Sequence, residues 1–161
     1  MLEEFKGINQ SEFKKLKEAV SSIAILVAGA DGSIKEHETA WATKVTKIRS
    51  YTLPRRLATF YKEVGQTFQS DLDVLKAEFN EDQEGTVRKL KFQLATLNDV
   101  FEKMEDRQLA YELYVSFKSF ARHVARSTGG ILGWGAIGPE ENELIELTMI
   151  HPVLPPIEDN E

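Results

Sequence analysis

Residues Ala28-Gly29-Ala30-Asp31-Gly32-Ser33-Ile34-Lys35-Glu36-His37-Glu38 close one apolar helical pattern and open another. A second stretch does the same near the other end of the chain: Ser127-Thr128-Gly129-Gly130-Ile131-Leu132-Gly133-Trp134-Gly135-Ala136-Ile137-Gly138-Pro139-Glu140-Glu141. In each, a glycine turn is followed by an isoleucine and then a glutamate four residues on, Ile34 with Glu38 and Ile137 with Glu141. Helix, glycine turn, helix, stated twice, predicts an all-helical chain with an internal pseudo-twofold repeat.

The flanking sequence agrees. Phe13, Leu16, Val20, Ile23 and Val27 step by three and four, which predicts a helix from about Ser11 to Ala30. Ile25 and Leu26 lie off that stripe, so this helix should be buried on more than one side. Trp41, Val45 and Ile48 mark a second helix, ending near Ser50 ahead of Leu53-Pro54. Pro54 suits the first turn of a third, carrying Leu57, Phe60, Tyr61 and Val64. Ser70 is a candidate N-cap for a fourth with Leu72, Leu75 and Phe79 inside, and the polar run Asn80 to Gly85 reads as a turn. Val87, Leu90, Leu94, Leu97, Phe101 and Met104 give the cleanest stripe, a fifth helix. Leu109, Leu113, Phe117, Phe120 and Val124 give a sixth, and Leu144, Leu147 and Ile150 a short seventh. No segment alternates with period two between hairpin turns. The expectation is a single-domain bundle of about seven helices over residues 1–151, with an irregular Pro-containing acidic tail over 152–161.

Composition narrows the function. The 161 residues suffice for one real core, and 42% hydrophobic with 29% charged residues is a globular balance. The net charge of -6 disfavours nucleic acid, whose phosphates require a basic face. No cysteine is present, which removes thiolate metal sites, cysteine nucleophiles and thiol redox chemistry. The start of the chain lacks a basic-then-apolar export signal, and Ile23 to Ala30, the longest apolar stretch, is far shorter than the roughly 20 residues of a membrane span. A cytoplasmic protein without direct membrane insertion is expected.

Ala30-Asp31-Gly32-Ser33-Ile34 with Glu38 resembles the hallmark of the tellurite-resistance TerB family, Ala-Asp-Gly-x-Ile with Glu four residues on. Gly129-Gly130-x-Leu132-Gly133-x-Gly135 and Ile137-x-Pro139-Glu140-Glu141 resemble a glycine-rich form of the family's second repeat, although the aspartate many members carry there has no counterpart. The resemblance implies a seven-helix-like domain and an acidic patch that binds metal. It also implies bacterial stress-response systems, with partner stress-resistance proteins at the inner membrane face.

The residues themselves admit that chemistry. If the two turns meet, Asp31, Glu36, Glu38, Glu140 and Glu141 can converge on a hard cation, Ca²⁺ or Mg²⁺, and His37 would add nitrogen and shift the preference toward Zn²⁺ or Mn²⁺. Asp31 and Glu38 lead, with Glu141 third. The same residues also have an architectural reading. Gly32 suits the left-handed position that ends a helix, Asp31 stabilises a turn, and Glu38 and Glu141 cap helix N-termini. An EF-hand is excluded because its earlier ligand positions fall on Val27 and Gly29. A P-loop is excluded because no Gly-Lys-Ser/Thr follows the glycine cluster, though Arg122, His123 and Arg126 lie near enough in sequence to serve a phosphate at the last helix. No Ser-His-Asp order or nucleophile elbow occurs. Three functions remain: a non-enzymatic metal- or partner-binding protein, a metal-dependent hydrolase or phosphate-ligand enzyme on the same acids, and a helical interaction module using Leu132 and Trp134.

Overall fold

The computed structural model describes residues 2–127 and 139–157, with the backbone alone for residues 139 and 140. The second glycine turn, including Leu132, Trp134 and Ile137, lies outside the described residues, as do the Glu140 side chain and residues 158–161. Among the described residues all regular structure is helical: α1 (Gln10–Ala28), α2 (Glu36–Thr52), α3 (Arg55–Gly65), α4 (Phe68–Glu81), α5 (Gln83–Ala95), α6 (Leu97–Lys103), α7 (Arg107–Arg126) and α8 (Pro139–Ile145).

α1 is the axis of the fold. A reciprocal cap starts it: Asn9 Oδ1 accepts from the Glu12 amide at 2.8 Å, and the Asn9 amide donates to Glu12 Oε1 at 3.1 Å. Every residue from Ala19 to Ala28 is buried, because α2, α3, α4, α5, α7 and α8 all pack around it. Burial on several sides explains why its second half carries apolar residues off the stripe. Phe5, Phe13, Phe60, Phe101 and Phe117 form a chain of ring contacts through the core, with centroids 5.0 to 6.2 Å apart.

Several local expectations change. The fifth stripe is divided between α5 and α6 at Thr96, whose hydroxyl donates to the Gln93 carbonyl at 2.6 Å. Met104 is buried but follows α6. The fourth helix starts at Phe68 after Thr67; the Ser70 hydroxyl donates to the Thr67 carbonyl inside the first turn instead of capping it. The polar run after Phe79 shrinks to Asp82, whose carboxylate caps α5 by accepting from the Gly85 amide at 3.0 Å. α8 stops at Ile145. Leu147 takes φ 51°, its amide donates to the Leu144 carbonyl at 3.3 Å, and the Thr148 amide donates to the Glu143 carbonyl at 3.2 Å. This is a Schellman closure with leucine where glycine is usual. Leu147 is 1% exposed, so its packing offsets the backbone strain.

Candidate functional site

The first glycine turn is built by close packing at its entry. α1 ends at Gly29, whose amide donates to the Ile25 carbonyl at 2.9 Å, and a Cβ on Gly29 would meet the Phe79 ring of α4 at 2.6 Å. Gly29 is therefore the helix cap. Gly32 is instead the left-handed residue of the turn that follows, at φ 94°, with its amide donating to the Gly29 carbonyl at 2.9 Å. Asp31 Oδ1 accepts from the Ser33 amide at 3.1 Å, a local Asx turn. Ile34 packs part-buried against the core and fixes where α2 begins.

Glu38, on the first turn of α2, is 0% exposed. Its Oε1 accepts from the Lys35 amide at 3.3 Å, while its Oε2 is buried without a hydrogen-bond partner. Burial, and after it the negative charge of Asp31, push the Glu38 carboxyl above its usual value, against smaller opposing contributions from the Lys35 amide and the charges of His37 and Lys35. A buried carboxylate with an unsatisfied oxygen is costly as an anion and is relieved by a proton or a cation. Capping uses only one of its two oxygens.

Two bonds fasten this turn to the far end of the chain. His37 Nε2 lies 3.1 Å from the Ser127 carbonyl, and Trp41 Nε1 donates to the His123 carbonyl at 2.9 Å. The start of α2 thus abuts the last turn of α7, from which the second glycine stretch departs. Trp41 is 36% exposed, so the buried face of α2 is shifted by one residue from the Trp41–Val45–Ile48 stripe and runs Glu38, Ala42, Val45, Thr46, Arg49.

Asp31, Glu36 and His37 are exposed beside Glu38, whereas Glu141 is half-buried on α8. Among the described residues no three His, Asp or Glu side chains form a group that could hold one ion, and the second turn and the Glu140 side chain, on which the expected convergence also draws, lie outside them. α8 docks on α1 and α7. Glu143 pairs with Lys91 at 2.9 Å, and Glu146 pairs with Arg122 at 3.3 Å and Lys118 at 3.6 Å. Arg122 is thereby engaged by a carboxylate. Burial, then the charges of Arg49 and Arg126, hold the His123 imidazole below its ordinary value. Among the described residues, the cleft lined by Lys15 and Thr96, that lined by Gln10 and Asp71 and that lined by Thr43 and Gln69 do not include Asp31, Glu36, His37 or Glu38.

Sequence reasoning missed one polar cluster. Arg49, 7% exposed, donates to Tyr61 Oη (3.0 Å), the Ser116 carbonyl (2.7 Å) and Ser119 Oγ (2.6 Å). Its guanidinium also lies 5.3 Å from the Tyr61 ring centroid and 5.6 Å from that of Phe120, with no carboxylate partner among the described residues. Burial is the main influence raising the Tyr61 hydroxyl. The cluster joins α2, α3 and α7. The steps of four, three and four through Glu38, Ala42, Val45 and Arg49 were the available signal.

Comparisons of the chain with known protein families, with curated proteins and with solved structures find no match.

Proposed function

We propose that this is a TerB-like, non-enzymatic protein of bacterial tellurite or stress resistance, acting through a divalent cation at the Asp31–Glu38 turn and through partner proteins. The observation that supports the reading is the Glu38 carboxylate, fully buried with Oε2 unpartnered and Asp31 close enough to raise its proton affinity. Two carboxylates with water completing the shell suit a hard ion, Ca²⁺ or Mg²⁺, with Zn²⁺ or Mn²⁺ drawing on His37. Without cysteine the chain has no thiol to reduce tellurite, so protection would be indirect. The hydrolase alternative requires a concave site into which the same acids and a bound metal converge.

Thermal unfolding of chelated protein tests the reading, titrated in turn with Ca²⁺, Mg²⁺, Mn²⁺ and Zn²⁺ beside Asp31→Asn and Glu38→Gln. Saturation at about 100 times the dissociation constant adds about 2.7 kcal/mol, or roughly 5–11 °C for a domain of this size. A shift of that size with one ion, lost in both variants, is expected. No shift with any ion would reduce the turn to a capping structure.

A further inference from the structure

We propose that the cleft between α2 and the α3–α4 corner receives the Leu154–Ile157 segment of a second copy of this chain, so that the protein associates head to tail. The cleft holds about 220 Å³. Small-molecule sites typically span about 300–1,000 Å³, whereas this volume suits one or two apolar side chains. Tyr61 and Phe68, both buried, lie at its base, and its rim carries the exposed Lys47 and Lys62. Neither lysine is ion-paired among the described residues. Gly65 leaves the wall open, since a Cβ there would meet nothing within 4 Å.

The complementary element is the stretch after α8. Asn98 of α6 clamps it: Nδ2 donates to the Met149 carbonyl at 3.1 Å, and Oδ1 accepts from the His151 amide at 2.7 Å. Val153 is buried at 8% exposure, and the chain then turns its next two apolar side chains outward, Leu154 at 75% and Ile157 at 91%. Pro155 and Pro156 separate them. Each proline fixes its own φ and holds the preceding residue extended. In a polyproline II path, with three residues per turn, Leu154 and Ile157 lie on the same edge. A segment ordered in advance loses little chain entropy on docking.

Charge selects the match. Glu158, Asp159 and Glu161 follow Ile157 in sequence, opposite in sign to the unpaired Lys47 and Lys62. Because Leu154 and Ile157 are exposed, they do not occupy the cleft of their own copy. Glu146, just before the segment, pairs with Lys118 and Arg122 on one side of α7, while Ser116 and Ser119 face Arg49 of α2 on another. Donor and receptor are different surfaces, so the contact is heterologous and propagates from copy to copy.

Sedimentation equilibrium of the full chain from micromolar to about 1 mM tests this, because a contact of a few side chains falls in the weak, transient class. Association is expected to weaken by at least about tenfold, a loss of about 1.4 kcal/mol, in Leu154→Asp/Ile157→Asp and equally in Lys47→Glu/Lys62→Glu. Mixing Lys47→Glu/Lys62→Glu with Glu158→Lys/Asp159→Lys should restore it through the swapped charges. A synthetic peptide of residues 152–161, titrated by fluorescence anisotropy, should bind the wild-type chain and not the lysine-reversed one. Lys47, Lys62, Leu154 and Ile157 are exposed side chains, and circular dichroism verifies that all three double variants fold. A chain that stays monomeric to about 1 mM and ignores the peptide overturns the proposal, as does association indifferent to both sets of substitutions.

Discussion

Replacing Arg49 by alanine and by methionine separates two roles of one side chain. Alanine removes three donated hydrogen bonds, to Tyr61 Oη, the Ser116 carbonyl and Ser119 Oγ, together with the stacking on Tyr61 and Phe120. It also leaves a void where α2, α3 and α7 meet. Hydrogen bonds at about 1 kcal/mol each, cation–π contacts at about 1–2 kcal/mol and the partial collapse of the void overlap, so the expected cost is about 3–5 kcal/mol. Methionine retains most of the volume and removes a buried cation that has no carboxylate partner among the described residues. The groups left behind remain served: Tyr61 still donates to Ser116 Oγ at 3.0 Å, and Ser119 Oγ still donates to the Ser116 carbonyl at 3.2 Å. Recovered hydration of the charge then offsets the lost bonds, and Arg49→Met should fall within about 1 kcal/mol of wild type. Urea denaturation at constant m-value measures both. If methionine proves as costly as alanine, the guanidinium itself holds the three helices together and the desolvation argument fails.

A pH series on Glu38→Gln reads the candidate site without added metal. The Glu38 carboxyl titrates above its usual value in the folded state, so folding takes up a proton there. Its contribution is complete at pH below the unfolded carboxylate value and is lost as pH rises through the raised folded value. Glutamine keeps an oxygen for the Lys35 amide, so in chelator the variant should gain stability on wild type across that window; a pH-independent difference would contradict this. Gly7→Ala should cost more than about 2 kcal/mol, since Gly7 sits at φ 94° and a Cβ would lie 2.0 Å from the Lys103 carbonyl oxygen. Chemical denaturation within about 0.5 kcal/mol of wild type would argue against that contact. Asn98→Leu removes both bonds to the segment after α8 and should cost about 1–2 kcal/mol. Hydrogen exchange at the His151 amide should quicken while α1 stays protected, and unchanged exchange would show that Val153 alone anchors the segment.

The helical class and the placement of α1, α3 and α7 were legible in the sequence, because apolar residues at steps of three and four report helix and buried face together. Asp31 and Glu38 were equally legible as the acids of one turn, since Gly29, Gly32 and Ile34 localise it. Three things depended on the tertiary structure. The buried side of α2 follows from its docking on α7, which places Ala42 and Arg49 inside and leaves Trp41 half-exposed to reach the His123 carbonyl. The one-residue break at Thr96 between α5 and α6 is one that a continuous 3.6-residue period cannot register. Glu38's lone oxygen arises from neighbours distant in sequence. Local periodicity specifies which face of a helix is apolar, whereas the environment of a carboxylate is set by whatever packs over it, and that is decided only when the helices meet.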